Sequence, residues 1–311
     1  QIFENDDNNI KEDKLKEIHD SFDITLNHPD YARKLYLIEN TIFGIDIQNI
    51  AIQIAKLRFF ISLIVDQNVN QDKENLGIRP LPNLEFKLMQ GNSLLETING
   101  FDPLDETNIV KNKNNKTRIQ NLKRNFHKFY KASSKIQKNK IKDEIKQDID
   151  VLFKKVLINY NKELQQTIKE NDIFNTSKAV QKRHQEQLSN KTLIEKILKE
   201  YDEFDASTEI FLYKIYFAEV FANDGFDIVI GNPPYIRQEK IKDLKPKLQN
   251  EPNKFLSYNG TADIYIYFFE KGYKLLKPNG ILSYITSNKY TRARYGKEFR
   301  KFILENTNIL E

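Results

Sequence analysis

Phe226–Arg237 reads FDIVIGNPPYIR. An apolar run, Ile228–Ile230, ends at Gly231, and Asn232, Pro233, Pro234 and Tyr235 follow at once. The run is short, β-branched and bounded by turn residues, which predicts a buried strand. Neither proline has an N–H to give to a ladder, so the strand must stop at Gly231. The next four residues are then held rigidly at its carboxyl end, where open α/β sheets place their ligands. The Asn232 amide has an oxygen that accepts and an NH2 that donates. A Pro-Pro segment has fixed φ, and the Pro233 carbonyl can point outward unpaired. Two acceptors side by side suit an exocyclic amine, which has two hydrogens to give. Tyr235 adds a flat face for stacking. An ordinary strand-to-loop turn would use the same residues.

Downstream lie a polar segment with several lysines and then Asn259-Gly260-Thr261-Ala262-Asp263. Thr261 or Asp263 can cap a helix over Ile264–Leu276, which the turn residues Lys277-Pro278-Asn279-Gly280 end. Ile281–Thr286 (ILSYIT) reads as the next strand, and Phe299, Phe302 and Ile303 belong to a last helix. Upstream, Phe211–Phe221 (FLYKIYFAEVF) is rich in aromatic residues and leads into the organising strand.

Towards the amino end, Ala32–Glu39 predicts a short helix and Ile42–Ile47 (IFGIDI) a strand that carries Asp46 at its end. Ile50, Ile54, Leu57, Ile61 and Ile64 recur at spacings of four and three, the mark of one apolar helical face. A carboxylate at a strand end in an α/β unit can accept from both ribose hydroxyls of a nucleotide-like ligand, or be a plain surface acid. Leu84–Gln90 (LEFKLMQ) alternates and predicts a third strand, running into Gly91-Asn92-Ser93. Asn92 can pair with the edge of an adenine ring, or serve as a turn residue or helix cap.

Residues 101–208 differ in character. Lys, Glu, Asn and Gln dominate, and Ile141, Ile145, Ile149, Leu152, Val156, Tyr160, Leu164 and Ile168 describe a long amphipathic helix. Residues 111–146 hold thirteen Lys or Arg and two Asp or Glu. Such a stripe can track phosphates or be a solvated helical insertion.

At 311 residues the chain can bury a sizeable core. Its net charge of +5 does not by itself indicate nucleic acid. The lack of cysteine excludes disulfides and thiolate metal sites. His19, His28, His127 and His184 are scattered without ligand spacing, so no metal is expected. No apolar run of membrane-spanning length and no secretory signal is present, so the expected location is the cytoplasm. The chain begins with Gln1, which suggests a fragment or a processed form.

Taken in order, these segments resemble the core of the adenine-specific methyltransferases of bifunctional type IIG restriction–modification enzymes. Strand–Asp–helix, strand–Gly-Asn-Ser-Leu, FAEVF, FDIVIGNPPYIR, GTADIYIYFFEKGYKLLKPNG and ILSYITSNKY carry the resemblance, over residues 41–95 and 211–310. It implies an α/β fold with a Rossmann-like methyltransferase sheet, here incomplete, and a long helical insertion. The implied layout is a helical lead-in at 1–40, methyltransferase parts at 41–100 and 209–311, and the charged insertion at 101–208. The implied cofactor is S-adenosyl-L-methionine. Asp46 matches the ribose-binding acid, Ile47 its neighbour against the cofactor adenine, and Asn92 the residue facing the adenine amine. Asn232, Pro233, Pro234 and Tyr235 match the catalytic loop, which acts on an adenine flipped out of double-stranded DNA.

Two departures stand out. No glycine-rich loop precedes Asp46, and no further base-stacking aromatic or target-recognition domain follows Leu310. The resemblance therefore implies an internal piece of a larger enzyme, whose remaining domains, with or without a nuclease, would be its partners. Without the strand before the glycine loop, 42–46 is expected to pair directly with 227–230 or with a substitute strand. Pro29-Asp30 and Glu85-Phe86-Lys87 are only superficially like a nuclease metal site, because the gap is long and Glu85–Lys87 falls in a predicted strand. The competing readings are a protein-glutamine or RNA methyltransferase, whose substrates also present amides and amines, and a non-catalytic DNA-binding or assembly module.

Overall fold

The computed structural model describes residues 29–72, 74–78, 82, 84–98, 100–103, 113–132, 135–171, 178–201, 206–249 and 255–310. Residues 1–28 of the expected lead-in, and Lys111 at the start of the basic stripe, lie outside them. The chain divides into two compact units, Gln1–Gly91 with Arg124–Ile145, and Asn92–Lys123 with Lys146–Glu311.

In the first unit, helix α1 (Pro29–Asn40) precedes strand β1 (Gly44–Asp46), helix α2 (Asn49–Ile64) and strand β2 (Leu88–Gln90). β1 and β2 run parallel, with Gly44 opposite Leu88 and Asp46 opposite Gln90. A β-carbon on Gly44 would come within 2.9 Å of Leu88 Cδ2, so a larger residue there would have to displace the end of that side chain. The core joins Tyr31, Ile38, Ile52, Leu63, Leu84 and Leu88.

Two expectations need correction here. The buried face of α2 is not the one periodicity selected. Ile52 and Leu63 are buried, with Ala55 and Phe59 packed against the core, whereas Ile50, Ile54, Leu57 and Ile61 are each more than half exposed. The helix is apolar on two faces, so spacing alone could not choose between them. Strand geometry within 84–90 is confined to the last three residues. Leu84 begins a turn, its carbonyl accepting from the N–H groups of Lys87 and Leu88, and the alternating Leu84, Phe86 and Leu88 are all buried.

The described part of 101–208 is mainly helical, with α3 (Lys113–Lys131), α4 (Lys135–Asn171) and α5 (Lys178–Lys199). On α4 the predicted apolar stripe is buried at Ile141, Ile145, Leu152, Val156, Leu164 and Ile168. Ile149 and Tyr160 are only partly covered.

In the second unit, two one-turn helices within residues 213–221 lead to β3 (Phe226–Gly231). Phe211, Tyr213 and Phe217 are buried and pack edge-on or tilted against one another, and Phe217 and Phe221 meet Phe226 at the start of β3. A short helix α6 (Leu244–Gln249), helix α7 (Ile264–Leu275), strand β4 (Leu276–Tyr284) and helix α8 (Lys297–Asn306) follow. β3 and β4 pair in parallel. The predicted Lys-Pro-Asn-Gly turn lies inside β4, not before it. The ladder jumps from Phe226 opposite Leu276 to Ile228 opposite Ile281, and Asn279 in the excursion has a φ of 63°. The excursion bulges out of the ladder, so pairing can begin at Leu276, directly after α7.

The α/β class is thus present. The described residues hold two separate two-stranded parallel sheets, and β1 does not pair with β3. With a single neighbour, β3 is not the buried strand its composition predicts: Ile228 and Ile230 are 58% and 76% exposed. No described helix is long and apolar enough to cross a membrane.

Candidate active site at the carboxyl ends of the parallel strands

β3 and β4 are parallel, so the loops after Gly231 and Tyr284 leave the same edge of the sheet. The Ile285 N–H donates to the Gly231 carbonyl at 3.1 Å, which carries the ladder one step further and fixes where the Asn232 loop starts. Gly231 is itself constrained: a β-carbon there would meet the Tyr284 ring at 3.1 Å. That ring has little room to move, because a β-carbon on Gly272 of α7 would lie 2.5 Å from the Tyr284 hydroxyl. Burial pushes the Tyr284 hydroxyl up to about 12.

Pro233 is buried and anchors the loop, while Asn232, Pro234 and Tyr235 are exposed. Among the described residues the Asn232 amide and the Pro233 carbonyl make no hydrogen bond. The two acceptors predicted from sequence are therefore free. Tyr235 is 58% exposed, and its hydroxyl donates to the Ile285 carbonyl at 3.3 Å. One end of the ring is tied to the strand edge and much of the ring is left open.

The far side of the loop is stapled to α7. The Ile264 N–H donates to the Ile236 carbonyl at 3.2 Å. Asp263 has the extended backbone of a helix cap, yet its side chain does not cap α7. Its Oδ1 instead accepts from the Gln238 N–H at 3.0 Å, and its Oδ2 from the Tyr295 hydroxyl at 3.4 Å. The other predicted cap, Thr261, donates through both its N–H and its hydroxyl to Asn259 Oδ1.

Sequence reasoning missed Glu270, the one acid in IYIYFFEKGYKL. It is fully buried and accepts from the N–H groups of Leu256 and Ser257 and from the Ser257 hydroxyl, at 2.7–2.8 Å. Lys274 Nζ lies 2.8 Å away and balances it. A buried carboxylate with this many donors fixes the residues just before Asn259. An isolated acid in an apolar helix is the signal that could have revealed it.

Asn92 begins the second unit and has both ends of its amide engaged. Its Oδ1 accepts from the Leu94 N–H at 3.1 Å, and its Nδ2 donates to the Thr208 carbonyl at 3.4 Å. The segment after it is pinned. Phe211 N–H donates to Leu95 O, Tyr213 hydroxyl to Ser93 O, and the buried Lys271 pairs with Glu96 at 2.6 Å. In the first unit, exposed Asp46 accepts the Gln48 N–H at 2.7 Å through Oδ1, which orders the start of α2. Ile47 beside it is half exposed. Glu85 of the superficial nuclease pattern pairs with Lys142 at 2.8 Å, and Asp30 with Arg33.

Residues 40–311 match the Eco57I restriction-modification methylase family. The chain belongs to that family. The type II methyltransferase M.BstVI of Geobacillus stearothermophilus is 40% identical over 84 residues, which are 27% of this chain and 15% of that protein. RM.MjaORFECS2P of Methanocaldococcus jannaschii, a protein named as a type II restriction enzyme and methyltransferase, is 27% identical over 303 residues, 85% of this chain and 23% of its own length. The type II restriction enzyme and methyltransferase RM.Eco57I of Escherichia coli is 38% identical over 85 residues, 27% of this chain and 8% of that protein. The chain thus spans less than a quarter of the length of each of these relatives. No solved structure matches it significantly.

Proposed function

We propose that this Eco57I-family chain carries the catalytic core of an S-adenosyl-L-methionine-dependent DNA methyltransferase that modifies the N6 amine of adenine. One observation supports this reading above the others. Among the described residues the Asn232 amide and the carbonyl of Pro233, its chain neighbour, make no hydrogen bond, and the exposed Tyr235 that follows donates its hydroxyl to the Ile285 carbonyl. In this reading 41–100 and 209–311 are the two parts of one Rossmann-like catalytic domain, and 101–208 is an insertion. A DNA substrate implies a cytoplasmic protein.

The adenine amine is a poor nucleophile because its lone pair is delocalised into the ring. Asn232 Oδ1 and the Pro233 carbonyl accept its two hydrogens, which favours a pyramidal nitrogen and aims the lone pair. Pro233, buried, and Pro234, with its fixed φ, hold the acceptors in place, so little ordering remains to be done when the base arrives. Tyr235 stacks on the extruded base. No base in the loop is needed, since an alkylated ammonium gives its proton to water.

S-adenosyl-L-methionine, when bound, supplies an electrophilic methyl group on a sulfonium. The donor set fits it in part. Asp46 has one oxygen on Gln48 N–H and the other open for a ribose hydroxyl, and half-exposed Ile47 offers an apolar face to the adenine. Asn92 would have to exchange its long contact with Thr208 for the adenine amine.

Asn232→Ala removes one acceptor from the reacting amine. Turnover should fall about 100-fold, while calorimetry with S-adenosyl-L-methionine should give an unchanged affinity. Retention of more than about a tenth of the turnover contradicts the role of Asn232.

A further inference from the structure

The segments that leave the carboxyl ends of β3 and β4 are both basic. Residues 237–247 hold five Lys or Arg against Glu239 and Asp243, and residues 289–301 hold six against Glu298. Some of these cations are committed internally. Lys245 donates to Gln238 and Gly260, Lys247 pairs with Glu209, and Arg300 donates to the carbonyls of Tyr290 and Ala293. Arg237, Lys240 and Lys242, and Lys289, Arg292 and Arg294, are exposed, and among the described residues their side chains make no hydrogen bond or ion pair.

The two segments are held together. The Asp263 carboxylate accepts the Gln238 N–H through one oxygen and the Tyr295 hydroxyl through the other. Arg237 and Arg294 are the chain neighbours of those two donors, so both basic segments converge on one carboxylate. That carboxylate sits at the amino end of α7, whose Ile264 N–H also holds Ile236, next to Tyr235. Two basic segments, one continuing directly from the Asn232–Tyr235 loop and one following β4, therefore meet through Gln238 and Tyr295 at this carboxylate.

We infer that Arg237, Lys240, Lys242, Lys289, Arg292 and Arg294 form the surface that grips the phosphate backbone of the DNA strand presented to the loop. This rests on the DNA-methyltransferase reading above. Extruding a base leaves its flanking phosphates as the natural handles, and exposed cations on the segments that lead from the strand ends can hold them without reading sequence. The basic stripe in 111–146 is a weaker candidate, because Lys142 and Arg118 are already paired with Glu85 and Asp148.

The test is equilibrium binding of the whole chain to a fluorescent random-sequence duplex of about 30 base pairs, titrated between about 50 and 200 mM salt. Two triple variants are compared with wild type: Arg237→Gln, Lys240→Gln, Lys242→Gln, and Lys289→Gln, Arg292→Gln, Arg294→Gln. Each should reduce the slope of log K against log salt by about two to three and weaken binding at least about tenfold at the middle of that range. A third variant, Arg237→Lys, Arg292→Lys, Arg294→Lys, keeps the charge and should keep the slope. Asn232→Ala should also keep it, while losing methyl transfer. Methyl transfer that is absent from wild type, beside slopes that behave as expected, would count against the proposed reaction and not against this surface. Unchanged slopes in both triple variants overturn the inference. So does a wild-type chain without salt-dependent binding, or a slope lost only when Lys123, Lys128, Lys138 and Lys140 of the helical stripe are neutralised.

Discussion

Tyr235 shows how one side chain divides structural and chemical duties. Its hydroxyl fixes the ring to Ile285, and its exposed face is what a base would meet. Tyr235→Phe removes only the fixing bond, and turnover should stay within about threefold. Tyr235→Ala removes the stacking surface, worth about 1–3 kcal/mol per base, and turnover over KM on duplex DNA should fall about tenfold or more. Steady-state kinetics on the two variants separate these roles; equal losses would contradict the division. The free acceptors on Asn232 and Pro233 and the exposed Tyr235 ring were legible in the sequence, because two prolines leave the backbone few choices. Asp263 and Glu270 were not. Each spends its carboxylate on N–H groups far away in the chain, Gln238 for one and Leu256 and Ser257 for the other, and no local pattern encodes such partners.

Among the elements, α1, α4, α7 and α8 form close to where the sequence places them, and β3 ends at Gly231 ahead of the prolines. The instructive failure is α2. Its sequence NIAIQIAKLRFFISLI offers one apolar face through Ile50, Ile54, Leu57 and Ile61, and another through Ile52, Ala55, Phe59 and Leu63. Tertiary contact chose the second. Exchanging Ile54 and Leu57 for Gln should therefore shift the stability of the protein by no more than about 0.5 kcal/mol. Leu63→Ala should cost about 2–5 kcal/mol. Urea denaturation measures both, and a large loss from the Ile54 and Leu57 pair would mean that the exposed face is part of the core. The turn at Lys277–Gly280 was also read correctly as a turn, but periodicity cannot show that a strand resumes its ladder across it.

At the scale of the whole molecule, one parallel sheet carries an acid as the last residue of β1 and the other an amide loop directly after β3, each at the carboxyl end of its strand. This is where α/β proteins gather ligands. The resemblance carried by the ordered motifs implied the α/β class, and apolar spacing the helical character of 101–208. Neither gave the burial of the strands, because burial depends on what covers them, and among the described residues β3 has a neighbour on one side only. The order of the motifs carried more than any single element did, and the family match over residues 40–311 agrees with it. The central claim concerns chemistry at one nitrogen, and product identity tests it most directly. The protein is incubated with duplex DNA and methyl-labelled S-adenosyl-L-methionine, the DNA is digested to nucleosides, and the labelled nucleoside is identified by mass spectrometry. The account predicts label in N6-methyl-2′-deoxyadenosine from wild type and about a hundredth as much from Asn232→Ala. Label on a cytosine, or equal label from the two proteins, would contradict it.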